Sequence, residues 1–305
     1  MNHSLRTMIS IGLTATMVLA TARAQAQQQL DEQRIGAAAG VTPTVKDGIV
    51  RVEWPRNDVP VSVDRMSLKP FAGLAAWAAF TAAPHGAMMM GDTVVFQDEV
   101  TPAMDAALTS GLEVTALHNH FFFDSPKVFF MHIGGQGEPE KLAASVKSVW
   151  DAIKKVRSTR STPATDFGDE TPQEGKIDAG AIEKALGTQS QTKDGVVKVS
   201  IGREGMMHQV KVGGAMGLST WAAFSGSDNL AAVDGDFIMT ASEVQPVLRS
   251  LRKSGIHIVA LHNHMIGEQP AFYFLHFWGK GPTEQLAKSV KAALDAQKAA
   301  MATGH

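Results

Sequence analysis

The chain has 305 residues, 44% of them hydrophobic, which is enough to bury a full core and suggests two domains of ordinary size. Lys and Arg total 28 against 30 Asp and Glu, a formal charge of -2, so there is no basic field for nucleic acid or an anionic membrane surface. Cysteine is absent, which excludes disulfides, thiolate metal sites, cysteine nucleophiles and a lipid-modified cysteine, and leaves His, Asp, Glu and Met as metal ligands.

The first residues place Arg6 ahead of an apolar run from Met8 to Ala22, followed by Ala24-Gln25-Ala26. This pattern predicts a secretory signal peptide over residues 1–26 and a periplasmic or secreted mature protein. Cleavage removes Arg6 and Arg23 and no acid, leaving a formal charge of -4. The run is shorter than the ~20 residues of a membrane span, and no later segment could serve as one.

An offset of 144 aligns GLAAWAAF (Gly73 to Phe80) with GLSTWAAF (Gly217 to Phe224), and LHNH at Leu117 with LHNH at Leu261. Nearer the start the offset is 147, pairing KDGIV (Lys46 to Val50) with KDGVV (Lys193 to Val197). A period this long means duplicated domains: residues 27–156 and 177–305, joined by a polar, aperiodic linker over 157–176.

Each copy opens with a short amphipathic helix (around Leu30 to Ala39; around Ala179 to Leu186). A Lys-Asp-Gly turn and an alternating strand follow, then the Trp-Ala-Ala-Phe strand and a further strand, DTVVF (Asp92 to Phe96) or DFIMT (Asp236 to Thr240). A helix is expected from about Pro102 to Thr109 and from about Pro246 to Lys253, with proline near its first turn and Gly111 or Gly255 at its end. The LHNH strand and its return strand form a hairpin. A last helix closes the unit, about Pro139 to Lys155 and about Thr283 to Ala299. The expected class is α+β, with two homologous domains, each a mostly antiparallel sheet with helices packed on one face.

The candidate site lies on the hairpins. Alternation along a strand points His118 and His120 the same way, and likewise His262 and His264. Turn signals at Asp124-Ser125-Pro126 and Gly267 to Pro270 put His118 opposite His132 and His262 opposite His276. Three imidazoles then converge in each copy, a set that accepts Zn or Cu and leaves a position for water or substrate. The acids Asp124 and Glu268, which occupy matching positions, together with Glu99 and Glu243, could complete the ligand set or orient the rings.

Other readings stay open at this level. Upstream residues of the same parity as His118 (Ala116, Val114, Leu112) and as His262 (Ala260, Ile258, Ile256) are apolar, so the histidines could be hydrogen-bonded groups at the end of a core-facing strand. Metal-free binding of a small envelope ligand by Phe121, Phe122, Phe272, Tyr273, Phe277 and Trp278 is a second possibility. A metal-dependent hydrolase is a third, with Glu99, Glu243, Asp124 or Glu268 taking a proton from the metal's water. Whether the chain is an enzyme is undecided by its sequence. Met88, Met89 and Met90 beside His85, and Met206-Met207-His208, are potential soft copper ligands or strand packing. The tripeptide His-Asn-His is not the nuclease motif of that name, whose residues are dispersed. A cupin fits poorly because the third histidine falls on the very next strand.

The stretch GDFIMTASEVQPVLRSLRKSGIHIVALHNH, with LHNHMIGEQPAFYFLHFWGKG after it, resembles the LppY/LpqO family of bacterial secreted proteins, a domain family of unknown function. Both copies carry the pattern, the second more closely. The resemblance implies no established activity. The mycobacterial members that name the family are similar to lipoproteins, but a chain without cysteine offers no lipid attachment of that kind, and Ala271 stands where members tend to have arginine.

Overall fold

The computed structural model describes residues 29–303; the predicted signal peptide lies outside them. The first repeat runs α1 (Glu32–Ala39), β1 (Thr44–Lys46), β2 (Ile49–Pro55), β3 (Val61–Val63), β4 (Met66–Leu68), β5 (Ala75–Ala83), β6 (Gly86–Phe96), α2 (Gln97–Thr109), β7 (Glu113–His118), β8 (Asp124–Ser125), β9 (Val128–Gly137) and α3 (Pro139–Thr159). The second runs α4 (Ala179–Leu186), β10 (Ser190–Lys193), β11 (Val196–Gly202), β12 (Gly205–Met207), β13 (Val210–Val212), β14 (Ser219–Gly226), β15 (Ala231–Met239), α5 (Ala241–Lys253), β16 (His257–His262), β17 (Tyr273–Gly281) and α6 (Thr283–Thr303). The protein is thus mixed α and β, built from two copies of one unit.

Twelve of the strands form one antiparallel sheet in the order β1-β2-β5-β6-β9-β7-β16-β17-β15-β14-β11-β10. The order reads as its own mirror across the β7–β16 junction, where Leu117 pairs with Leu261. A pseudo-two-fold axis passes through that junction. Helices from both repeats reinforce it. Arg252 makes a two-pronged pair with Asp105, Gln245 exchanges hydrogen bonds with the backbone of Val114, and the Arg249 guanidinium donates to the carbonyls of Leu108 and Leu112.

One apolar cluster spans the two repeats. Ile35 of α1, Ala103 and Ala107 of α2, Trp150 of α3, Ile182 of α4, Leu248 of α5 and Val290 of α6 join strand residues such as Phe80, Met131, Phe224 and Leu275 in it. Two small satellite cores lie apart from it, one around Val94, Phe96 and Phe130, the other around Ile238, Phe272 and Phe274. They pack near the β3–β4 and β12–β13 hairpins. Both hairpins turn through consecutive residues of positive φ, Asp64-Arg65 and His208-Gln209, as primed turns demand.

The elements depart from the sequence expectation at the central helices. α2 and α5 begin at Gln97 and Ala241, five residues before Pro102 and Pro246, so each proline lies inside its helix. The cause is the acid at the third helical position. Glu99 accepts the backbone N–H of Phe96 at 2.9 Å and Glu243 that of Thr240 at 3.0 Å, capping a terminus that the prolines do not define. The last helices also extend further, to Thr159 and Thr303.

Candidate metal centre

A β-bulge decides where the histidines go. In β7 the register against β9 runs Val114↔Ile133 and then Ala116↔His132, so two steps on one strand match one on the other. In β16 the same irregularity falls between Ile258 and Ala260. An extra residue in one strand reverses side-chain parity beyond it. Val114 and Leu117 therefore both enter the main core, as do Ile258 and Leu261, while Ala116, His118, Ala260 and His262 turn to the opposite face. The expectation that His118 shares its face with Val114 and Leu112, and His262 with Ile258 and Ile256, is overturned by this one inserted position. The histidines are not the tail of a core stripe.

The register also corrects the facing pairs. His118 stands opposite Phe130, with His132 opposite Ala116; His262 stands opposite Phe274, with His276 opposite Ala260. First and third histidines are diagonal neighbours on one face, and they still meet. The Nε2 atoms of His118 and His132 are 3.1 Å apart, and the rings of His262 and His276 are 5.0 Å centroid to centroid. The second histidine of each tripeptide folds back onto the phenylalanine between them: His120 stacks on Phe130 at 3.3 Å and His264 on Phe274 at 3.4 Å.

In the second repeat one nitrogen from each of His262, His264 and His276 lies within 4.8 Å of the others, a set that can hold a metal ion. Among the described residues this three-way convergence belongs to the second repeat. In the first, the rings of His120 and His132 each lie about one ring-stacking distance from His118, at 5.2 and 5.1 Å. Burial and the neighbouring histidines depress the pKa of His120 and His262, and burial chiefly depresses that of His264 although Asp236 opposes it. A depressed pKa keeps imidazole neutral near pH 7, the form that donates to a metal.

The acids that accompany these rings are not those expected from the sequence. Asp92 is the cross-strand partner of His132 and Asp236 that of His276. A carboxylate oxygen of Asp92 lies 3.9 Å from His132 Nε2, and one of Asp236 lies 3.6 Å from His264 Nε2. Both acids are buried, and burial raises their pKa values against the opposing pull of the imidazoles. Asp236 anchors its other oxygen on the backbone N–H of Leu275 at 3.1 Å, whereas Asp92 Oδ1 has no hydrogen-bond partner. The Gly-Asp pairs at Gly91-Asp92 and Gly235-Asp236 fall at the repeat offset of 144, and that was the available signal. Each glycine also lets a neighbouring strand pass closely: a Cβ at Gly91 or Gly235 would come within 2.7 or 2.3 Å of the carbonyl of Trp77 or Trp221.

The four acids singled out from the sequence are engaged elsewhere. Glu99 is buried against Arg56, with paired contacts of 2.8 and 2.9 Å, and against Arg157. Glu243 pairs with Arg203 and accepts from Gln297 at 3.0 Å. Asp124 accepts the backbone N–H of Val128 at 2.7 Å and Glu268 that of Phe272 at 2.9 Å, so both close the loop between histidine strand and return strand. These loops carry the cis bonds Ser125-Pro126 and Gln269-Pro270.

The aromatic residues do not line one pocket. Phe272 is in a satellite core, Phe277 is in the main core and Phe122 is 80% exposed. The methionine run splits as strand alternation requires: Met89 is buried in the main core while Met88 and Met90 emerge on the other face.

The profile of the Domain of Unknown Function (DUF1259) matches residues 33–152 and again 180–296. The chain belongs to that family and carries it twice. No curated protein matches it. Similar solved structures include the trimeric bacterial microcompartment shell protein PduB, at 9% identity and a TM-score of 0.22, covering 86% of this chain and 93% of that one. Another is the double-ringed trimeric shell protein MSM0271 from the RMM microcompartment, at 12% identity and a TM-score of 0.20, covering 82% and 94%. At such scores neither likeness carries an argument about function.

Proposed function

We propose that this protein binds divalent metal, Zn or Cu, through paired histidine triads, with His262, His264 and His276 forming the tighter site and His118, His120 and His132 its weaker counterpart. The observation that carries the reading is the convergence of three imidazoles beside a buried carboxylate, on a face to which a bulge has turned them. A cluster of three imidazoles kept only for packing would not need an ionisable acid at 3.6 Å, whose burial is costly. Asp236 and Asp92 take the orienting role that the sequence reading gave to Asp124, Glu268, Glu99 and Glu243.

The finer placement goes with it. Helices on one face of the sheet leave the other for the ion, and a periplasmic or secreted location, with membership of the LppY/LpqO group, follows from the N-terminal pattern and the shared motifs. A three-histidine ion keeps one position open for a small molecule or water. Hydrolysis is the activity to screen, with Asp236 the nearest carboxylate.

Elemental analysis of purified mature protein, followed by Zn and Cu titration of chelator-treated protein, tests the reading. Uptake should reach two equivalents, the first much tighter. Protein that neither retains nor takes up either metal would refute it.

A further inference from the structure

The two triads are close neighbours. Across the β9-β7-β16-β17 ladders, one row of facing residues reads His132, Ala116, His262, Phe274, and the next, displaced by two residues, reads Phe130, His118, Ala260, His276. The row order follows from antiparallel pairing at Leu117↔Leu261, which sets Ala116 beside His262 and His118 beside Ala260. His132 and His262 are thus separated by two strand spacings, roughly 10 Å. Ala116 lies between them, as Ala260 lies between His118 and His276; these two small, partly exposed side chains form the floor at the junction of the triads. The floor sits on the pseudo-two-fold axis, so what one triad offers across it the other offers in return.

We propose that the two triads act as one composite site which takes a single two-headed oxyanion, of the dicarboxylate class, bridging the two metal positions across the Ala116–Ala260 floor. The inference rests on the metal reading above. Each ion held by three neutral imidazoles leaves one open position. Each would carry two positive charges against one adjacent carboxylate, Asp92 or Asp236, leaving one net positive charge per half. A dianion balances the pair, and a ligand with a single charged end does not. Asp234, two residues before Asp236 on β15, also interacts with His276, and the charge of Lys198 offsets its own.

The experiment uses the full mature chain loaded with Zn at both sites and measures binding of succinate, adipate and suberate by calorimetry, with acetate as the one-headed control. One dicarboxylate should bind per chain, its affinity exceeding that of acetate by about a hundredfold through effective concentration. Ala116→Val with Ala260→Val should remove most of that advantage while both metal equivalents remain. Two dicarboxylates per chain, each binding no more tightly than acetate, would overturn the composite site and leave the metal reading standing. Failure of the chain to load Zn would overturn both. If the double variant does not fold, the wild-type ratio and stoichiometry alone decide.

Discussion

His264 lies flat on Phe274, ring centroids 3.4 Å apart and planes 10° from parallel, and His120 repeats the arrangement on Phe130 at 3.3 Å and 5°. The last histidine of each tripeptide is already beyond its strand. The ring beneath it supplies the rigidity that the backbone no longer provides. Phe274 is fully buried and stacking of this kind contributes about 0.5–1.5 kcal/mol. Phe274→Leu should therefore weaken the second metal site by about three- to tenfold, read by competition with a fluorescent zinc chelator, while leaving the first unchanged.

Asp236→Asn keeps the shape and an acceptor for the Leu275 N–H but removes the charge beside His264 and His276. Loss of a carboxylate that orients metal-bound histidine typically costs 10- to 100-fold in affinity, about 1.4–2.7 kcal/mol. The same substitution at Asp92 should act on the first site. An unchanged affinity in both variants would mean that the acids serve the sheet and not the ion.

The bulge makes a sharper prediction. Val259 is 44% exposed and sits where the register slips, so Val259→Ala should change stability by no more than about 0.5 kcal/mol. Deleting Val259 removes the extra residue. Plain alternation from Ile258 then keeps Leu261 in the core and Ala260 and His262 on the opposite face, so a zinc titration of the folded variant should still find the second metal equivalent; its loss would mean that the bulge itself shapes the site.

Glu99 belongs to the fold. With its carboxylate buried between Arg56 and Arg157, Glu99→Gln should cost about 1–3 kcal/mol in urea unfolding, because both guanidinium groups lose that charge while Arg56 keeps its pair with Asp58. Metal stoichiometry of the folded fraction should not move. Loss of one equivalent without loss of stability would restore the role that the sequence suggested for this acid.

Protons should compete with the fold. His120, His257, His262 and His264 have folded-state pKa values below the ordinary 6.5, so between those values and about 6.5 the unfolded chain binds more protons than the folded one. Stability of metal-free protein is then full above about pH 6.5 and falls as pH drops through that window. Asp92 and Asp236, with raised values, act with the opposite sign in a window that begins at the ordinary carboxylate range near 3.9 and extends upward, where protonation favours the folded state. Chemical denaturation of metal-free protein across the acid range should show the first slope clearly.

Much of this was legible from residues alone. Duplication, the helices at Ala179 to Leu186 and near Leu30, the Lys-Asp-Gly turns and the six histidines all follow from offset matching and periodicity. The bulge was not, because Thr115 and Val259 carry no glycine or other turn signal, and parity counted through an unmarked insertion gives the wrong face. Joining of the two repeats into one sheet was equally hidden: Leu117 and Leu261 read as core residues, and nothing local says that their strands pair with each other. Asp92 and Asp236 are not legible as partners of the rings, because they sit two strands away from the tripeptides and only the sheet order brings them together. The acids nearer in sequence cap helices and loops instead.

The measurement that bears most directly on the central claim is metal stoichiometry in paired variants of the full mature chain. Wild-type protein saturated with Zn should hold two equivalents. His262→Ala with His264→Ala should lose the tighter one and keep the other, and His118→Ala with His120→Ala should do the reverse. If neither double variant alters metal content and both instead lower stability by a few kcal/mol, the histidines are buried hydrogen-bonding groups and the protein is not a metal binder.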